Sequence, residues 1–345
     1  MPRSIIKSCR LNIKSSSLDD LIDAYLNQNV PTRQSVAQMC NVSASTSGKV
    51  ANALVECGFA EQRLYADKNS RPALHLYIKE GLNVMVLDLS GSIYSMEIIS
   101  PYGNCIFSYR HQYDAGISYE DNLNIFLSRG GYEAKLKQKS YYAISVIFAD
   151  SPQNDFEAYI NPSSYIPTMQ DMAKTDRIIS SVFKRHATYT KISDTVHAAV
   201  RFGTITAASE YFGVSYVFLG SYVCAFNVSH LGTIHSDIGS FITGNSTLST
   251  LLHKRVDNDT LSSLLSQIVN VMHCAYVASS VVIDSDIYDI GEDILRKICR
   301  DCALAGVIPP NIIAAGSARS VTHTAASKIA LSKFIRSMIL SSNQK

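Results

Sequence analysis

The sequence predicts an α/β protein in two parts: a winged helix-turn-helix over residues 1–80 and a larger α/β domain over residues 81–345. Two helical patterns separated by a tight turn occupy residues 31–59, and a charged hairpin follows them. After Gly81, buried-strand patterns alternate with helical patterns, which is typical of an α/β domain. With 345 residues, 46% of them apolar, the chain is long enough to bury more than one core.

The stretch 31–59 predicts two short helices with a turn between them. Thr32 is a suitable N-cap for the first helix and Ser43 for the second, because their hydroxyls can accept from backbone N–H groups of the first turn. The spacing of apolar residues predicts the packed side of each helix. These residues are Val36 and Met39 in the first helix, and Val50, Ala53, Leu54 and Cys57 in the second.

The opposite face of the second helix carries short hydrogen-bonding side chains and one cation, without a carboxylate. Such a face can read base edges in a major groove, and cations at a hairpin tip can reach phosphate. A small helical packing module with a solvated polar face is the alternative interpretation. The predicted contacts to double-stranded DNA are Arg33, Ser45, Thr46, Ser47, Lys49, Asn52, Lys68 and Arg71.

The charge distribution favours the DNA interpretation. The chain has a formal net charge of +2, and residues 1–80 hold ten Lys and Arg against seven Asp and Glu. The remainder is slightly acidic. A positive excess in the N-terminal part lies where attraction to phosphate would require it.

The other elements follow from periodicity. Ser17 with Asp20 resembles a capping box that opens a helix before the helix-turn-helix. Strands are predicted over 83–89, 92–99, 105–113, 141–148, 188–192, 214–219, 281–283 and 311–314, and helices over 119–127, 170–185, 261–278 and 324–339.

The cysteines and the apolar runs predict the compartment. Eight cysteines are scattered without a metal-ligating set, which favours reduced thiols in a cytoplasmic protein. No apolar leader is present, and the longest apolar run, 268–283, is interrupted by Asn270 and His273. We therefore expect a soluble protein without a metal and without a membrane partner.

Two motifs carry a resemblance to a known family. Asn69-Ser70-Arg71-Pro72 matches a [GN]-x-R-P wing, and Asp88-Leu89-Ser90-Gly91-Ser92 matches D-x-x-G-[ST]. Together they resemble the regulator branch of the ROK family (repressor, open reading frame, kinase). The resemblance covers nearly the whole chain. It implies that residues 81–345 form a two-lobed domain of the actin/hexokinase type, which is ribonuclease-H-like.

The resemblance also implies that the nucleotide elements are eroded. Residues 88–92 stand at the family's first phosphate loop, D-x-G-G-T, with Ser90 in place of a glycine, and an ordinary hairpin is the alternative. In the second loop, G-T-G-[IV]-G, only Gly220 remains; Tyr222 and Cys224 put side chains where backbone should approach phosphate. Asp284 adds negative charge where Gly-Gly lies against adenosine in relatives.

The sugar and zinc elements differ as well. Ser193-Asp194 resembles the N-D of N-D-x-x-x-A-A, whose Asp is the general base in active relatives, although Asp194 could equally be an N-cap. Asp237 stands for the Glu of G-E-[IV]-G-H, and Ser240 for its zinc-ligating His. Between Cys224 and Cys274 there is no cysteine, so we expect no structural zinc.

The sequence therefore predicts a DNA-binding transcriptional regulator, a repressor, with a degenerate kinase-like domain and no catalytic residues or cofactor. The second domain would sense a carbohydrate or sugar phosphate through Ser193, Asp194 and Asp237, and would hold a homodimer together. One alternative is a dimer scaffold without a ligand. Another is an active ROK sugar kinase.

Overall fold

The structure is a computed structural model. It describes residues 15–27, 31–65, 73–150, 165–202, 205, 213–219, 223–229, 232–236, 242–243, 246–247, 256–306, 308 and 310–342.

The N-terminal unit, residues 15–78, consists of three helices and a hairpin. Its elements are α1 (Ser15–Asn27), α2 (Arg33–Met39), α3 (Ala44–Glu56), β1 (Ala60–Tyr65) and β2 (Ala73–Ile78). The expected caps are present: Thr32 accepts from the Ser35 N–H at 3.0 Å, and Ser43 accepts from the Thr46 N–H at 3.1 Å. The capping box expected at Ser17 is wrong, since α1 begins two residues earlier and places Ser17 inside its first turn.

The first lobe is built on a five-stranded sheet in the order β5-β4-β3-β6-β7. Its strands are β3 (Val84–Asp88), β4 (Ile93–Ile99), β5 (Cys105–Gln112), β6 (Ala143–Phe148) and β7 (Thr188–Lys191). Pairing is antiparallel for β3-β4 and β4-β5, and parallel for β3-β6 and β6-β7. The helices α4 (Tyr119–Leu136) and α5 (Met172–Phe183) pack together in this lobe.

The second lobe repeats the same topology in the order β10-β9-β8-β13-β14. Its strands are β8 (Val214–Leu219), β9 (Val223–Ser229), β10 (Gly232–Ser236), β13 (Ser280–Asp284) and β14 (Asn311–Ala314); β11 (Ile242–Thr243) and β12 (Ser246–Thr247) pair separately. Its helices are α7 (Asn258–Tyr276) and α8 (Glu292–Leu304). Two antiparallel and two parallel pairings recur in each lobe.

Two further helices join the parts. The helix α6 (Ile192–Arg201) follows β7 directly, and α9 (Ala315–Ser342) packs against α6, β3, β6, β13 and α1. One apolar core contains residues of the N-terminal unit, of both sheets and of α9, among them Tyr25, Leu54, Val86, Val282 and Ile335.

The α/β fold class is confirmed, and each strand predicted within the described residues lies within about two residues of its expected bounds. Two of the predicted helices were too short: α4 runs nine residues past the expected end at 127, and α9 begins nine residues before 324. The boundary near residue 80 stays a prediction. Among the described helices, none is long and apolar enough to cross a membrane.

Candidate nucleic-acid interface and interlobe cleft

The exposed face of α3 carries part of the predicted DNA-contacting set. Ser45, Lys49 and Asn52 are exposed, while Thr46 is half-buried. The Thr46 hydroxyl lies 2.9 Å from the Ser43 hydroxyl, so it takes part in capping the helix. Three polar side chains of α3 therefore remain turned towards solvent.

Ser47 corrects the predicted face. Its side chain is fully buried, and its hydroxyl lies 2.6 Å from the Tyr25 hydroxyl, which also donates to the Ser47 carbonyl at 3.1 Å. The spacing from Ser47 to Val50 and Leu54 is helical, so the three residues lie on one stripe. The spacing could have placed Ser47 on the buried side of α3, but a polar serine suggested an exposed position.

Met39 corrects the predicted packing of α2. Its side chain is 60% exposed, whereas Val36 and Ala37 are buried. The helix α2 is only seven residues long. Its buried side carries Val36 and Ala37, whereas Met39, its last residue, faces solvent.

Arg33 lies across the junction of α2 and α3. Its guanidinium Nη2 donates to Asn52 Oδ1 at 2.7 Å. A β-carbon at Gly48 would stand 3.4 Å from Arg33 Cδ, so the arginine stem uses the space that glycine leaves. Arg33, Lys49 and Asn52 thus form one polar, positively charged surface. Gly48 is the helical residue that sequence analysis missed.

The hairpin β1-β2 stands beside this surface. The Leu76 N–H donates to the Pro31 carbonyl at 3.0 Å, and Thr32 bridges to His75, so the hairpin is attached where α2 begins. Lys68 and Arg71, the predicted tip contacts, lie outside the described residues.

A largely buried charge network lies where the two lobes meet, and we call this region the interlobe cleft; it contains Asp88, Asp284, Asp286, Arg319 and His323. His323 of α9 is fully buried; its Nε2 lies 2.9 Å from Asp88 Oδ2 and its Nδ1 lies 2.9 Å from Glu97 Oε2. Burial alone would lower the pKa of His323, but its two carboxylate partners raise that pKa to about 9. At neutral pH it is therefore an imidazolium that donates from both nitrogens.

The pKa values of Asp88 and Glu97 shift in the opposite direction from that of His323. Burial would raise the pKa of Asp88, but the hydrogen bond to His323, the nearby charges and the hydrogen bond from Ser90 hold it well below its usual range. The pKa of Glu97 is lowered against burial by the same imidazolium. Asp88 Oδ1 also accepts from the Ser90 N–H at 2.9 Å and from the Ser90 hydroxyl. Both oxygens of Asp88 are thus engaged within the protein.

A second ion pair lies on the other side of the cleft. Arg319 Nε donates to Asp284 Oδ1 at 3.3 Å, and the Tyr216 hydroxyl donates to Asp284 Oδ2 at 2.8 Å. Burial raises the pKa of Asp284 although Arg319 and Tyr216 oppose it. Asp284, which the resemblance places where Gly-Gly lies against adenosine in relatives, is paired with an arginine of the same chain.

A direct contact crosses from one lobe to the other. The backbone N–H of Ser92 donates to Asp286 Oδ2 at 2.8 Å, and its hydroxyl donates to the same oxygen at 2.7 Å. Ser92 precedes β4 of the first lobe, and Asp286 follows β13 of the second.

Two of the three predicted ligand-binding residues, Ser193 and Asp194, lie in the first turn of α6. Ser193 is buried at the start of α6, and both its N–H (2.9 Å) and its hydroxyl donate to the carboxylate of Asp150. Asp194 is exposed; it is the third residue of α6 and not its N-cap, which is Lys191, and it accepts from the Lys191 N–H at 3.3 Å. Asp237 lies outside the described residues.

Asp150 is a residue that sequence analysis missed. It is buried, and burial raises its pKa although the hydrogen bonds from Ser193 oppose the shift. His235 Nε2 stands 3.9 Å from Asp150 Oδ1. Asp150, Ser193 and His235 provide a carboxylate, a hydroxyl and an imidazole, which are groups that can hydrogen-bond to sugar hydroxyls. Within the described part of the chain, no three His, Cys, Asp or Glu side chains form a group that could hold a metal ion.

Two lobes of repeated topology around a cleft, preceded by a helix-turn-helix and a hairpin, define a winged helix-turn-helix joined to an actin/hexokinase-type domain. No family model and no curated protein matches the sequence. The fold is similar to that of a ROK family transcriptional regulator, a homolog of the E. coli MLC protein, with a TM-score of 0.64 at 10% identity over 95% of this chain and 100% of that chain. It is also similar to an inorganic polyphosphate/ATP-glucomannokinase from Arthrobacter sp. strain KM, with a TM-score of 0.50 at 11% identity over 72% of this chain and 98% of that chain. At these identities the shared property is the fold.

Proposed function

We propose that this chain is a DNA-binding transcriptional regulator, a repressor, that works as a cytoplasmic homodimer. The observation that carries the proposal is the surface of Arg33, Lys49 and Asn52 on α2 and α3, which is positively charged, free of carboxylates and flanked by a hairpin. Helix-turn-helix dimers read half-sites about one helical turn (~34 Å) apart. Residues 1–80 would form the DNA-binding domain.

The first experiment is selection of bound fragments from sheared genomic DNA by the purified protein at about physiological salt. Enrichment of a twofold symmetric site is expected. Lys49→Gln should weaken binding to all sequences and lower the salt slope by about one, whereas Lys135→Gln, which removes an exposed cation from α4, should not. Retention of DNA without a preferred sequence would contradict the proposal.

We further propose that the two-lobed domain senses a carbohydrate or sugar phosphate and does not phosphorylate it. In the resembling kinases the residue at Asp88 would hold Mg²⁺ through water, but here Ser90 and His323 take up both of its oxygens. A positive imidazolium against this carboxylate opposes a divalent cation at the same place. This supports a domain without kinase activity.

The sensing site would be formed by Asp150, Ser193 and His235. Asp194 is exposed and makes a capping contact within its own helix, so we expect Asp150 to be the carboxylate that faces the ligand. Thermal unfolding with a panel of sugars and sugar phosphates tests this. A reproducible rise in Tm that disappears in Asp150→Asn but persists in Asp194→Asn is expected. If no compound stabilises the protein, the dimer scaffold without a ligand becomes the better account.

The active kinase remains the second candidate because one structural neighbour is a glucomannokinase. ATP turnover with the same sugar panel distinguishes it. Turnover that is lost in Asp150→Asn or Asp194→Asn would support the kinase, and its absence would support the regulator.

A further inference from the structure

A cavity of about 390 Å³ lies between α9 and the sheet of the first lobe, and none of its lining residues belongs to the interlobe cleft. Pockets that hold small molecules have volumes of about 300–1,000 Å³, so the cavity has the size of a ligand site. We call it the α9 pocket. It is lined by residues 142–144, by residues 185–188, and by Ala330, Lys333, Phe334 and Ser337 of α9.

The side chains around the α9 pocket favour an anion. Arg185 and Lys333 line the pocket, and no Asp or Glu is among its described lining residues. The helix α9 contains no Asp or Glu over its whole length. His186 also lines the pocket, and its Nδ1 lies 3.4 Å from the carboxylate of Asp176. Two cations without a lining carboxylate attract a negatively charged ligand.

Arg185 is held in position by the backbone of the first lobe. Its Nη1 donates to the Tyr141 carbonyl at 2.7 Å and to the Tyr142 carbonyl at 3.1 Å, and its guanidinium carbon lies 5.1 Å from the centre of the Tyr141 ring. Within the described part of the chain, Nε and Nη2 of Arg185 make no hydrogen bond. These donors therefore remain for the oxygens of a carboxylate or phosphate, which a guanidinium binds in pairs.

Aromatic rings form the apolar part of the α9 pocket. The ring centres of Tyr142 and Phe334 are 6.1 Å apart, and their planes are tilted by 56°. Ile144 and Ala330, which are both buried, line the pocket as well. A planar apolar group can pack against such rings while an attached negative group pairs with the cations.

We propose that the α9 pocket binds a small organic anion with a planar apolar body, of the class of aryl phosphates and aryl carboxylates. Arg185 and Lys333 pair with the negative group, and Tyr142 and Phe334 contact the ring. The site is separate from the sensing site that contains Asp150. This inference does not depend on DNA binding or on carbohydrate sensing.

The test is calorimetric titration of the full-length protein with phenyl phosphate and, separately, with benzoate. At least one of the two should bind with a Kd of about 1 mM or lower, and the comparison shows which negative group the pocket prefers. Benzyl alcohol, a ring without charge, and inorganic phosphate, a charge without a ring, should each bind at least about tenfold more weakly. Failure of both aryl anions to bind would overturn the proposal, and so would equally tight binding of either control compound.

Two substitutions at exposed positions of α9 test the pocket itself. Lys333→Gln removes a lining cation and should weaken binding of the aryl anion about fivefold. Ser337→Trp leaves every charge in place, but its side chain would lie back over Lys333 and Phe334, fill the pocket and abolish binding. Lys184→Gln is the matched control, because Lys184 is an exposed cation beside Arg185 that does not line the pocket. It should bind as wild type does, and wild-type binding by both α9 variants would contradict the proposal.

Methyl NMR spectroscopy locates the bound ion. The methyl groups of Ile144 and Ala330 belong to buried residues that line the pocket, so phenyl phosphate or benzoate should shift their resonances. The methyl groups of Ile192, next to Ser193 of the proposed sensing site, should not shift. Shifts at Ile192 without shifts at Ile144 and Ala330 would place the ligand in the sensing site and would overturn the assignment to the α9 pocket.

Discussion

His323 shows what one buried side chain contributes to this molecule. It is an imidazolium between Asp88 of β3 and Glu97 of β4, with Arg319 one turn before it on α9. Without it, the two buried carboxylates would repel each other, and Asp88 Oδ2 and Glu97 Oε2 would lose their imidazole donor. A histidine far from any motif in the sequence thus holds the central strands of the first lobe to the C-terminal helix.

The stability of the protein should therefore depend on pH above neutrality. The pKa of His323 is raised from 6.5 to about 9 on folding, so its contribution is fully present below pH 6.5 and is lost as the pH rises through 9. We expect the free energy of unfolding to fall by about 3 kcal/mol over this window. Denaturant titrations at a series of pH values measure it.

The matched variants are His323→Gln and His186→Gln. His323→Gln should be destabilised by about 3 kcal/mol at pH 6, with no further fall towards pH 9. His186→Gln, which alters an exposed histidine, should keep the wild-type fall. A fall of equal size in His323→Gln would mean that another group titrates.

At the scale of one element, different residues of α3 serve packing and DNA recognition. Ser45 is exposed, whereas Ser47, two residues further, is buried against Tyr25. Ser47→Ala should lower the free energy of unfolding by about 1–2 kcal/mol, because the Tyr25 hydroxyl loses a buried partner. Ser45→Ala should leave stability nearly unchanged. Thermal or denaturant unfolding of both variants decides between these outcomes.

For DNA recognition, we expect the two serine substitutions to have the opposite effects. Ser45→Ala should change sequence preference at one base pair, by about 1–3 kcal/mol, when measured on the selected DNA site. Ser47→Ala should leave that preference as it is. If Ser47→Ala changed the preference and Ser45→Ala did not, our assignment of the exposed face would be incorrect.

The elements themselves could be predicted because their signals are local. The caps at Thr32 and Ser43 and the apolar run at β3 each depend on residues a few positions apart. The contact between Ser92 and Asp286 spans 194 positions, and the contact between Asp88 and His323 spans 235. Such pairs exist only once the lobes have folded against each other, so no local pattern indicates them. Asp150 was missed for the same reason.

At the scale of the whole molecule, α9 connects the interlobe cleft with the N-terminal unit. Near its start, His323 lies in the cleft network. Further along, the rings of Phe334 and Phe59 are 6.0 Å apart, and Arg336 Nε lies 3.0 Å from Asp19 Oδ1 of α1. The thirteen residues from His323 to Arg336 span about 20 Å of helix. A shift of α9 in the cleft would therefore move the contacts that hold α1 and Phe59.

We expect this helix to couple the cleft to DNA binding, and a double-mutant cycle measures the coupling. His323→Gln should change the Kd for the selected DNA site in the wild-type background, and it should do so less in a Phe334→Ala background. A coupling free energy of about 0.5–2 kcal/mol is expected. Leu340→Ala, near the exposed end of the same helix, is the control and should be additive with His323→Gln. Additivity of His323→Gln with Phe334→Ala, within about 0.3 kcal/mol, would mean that α9 supports the N-terminal unit without transmitting the state of the cleft.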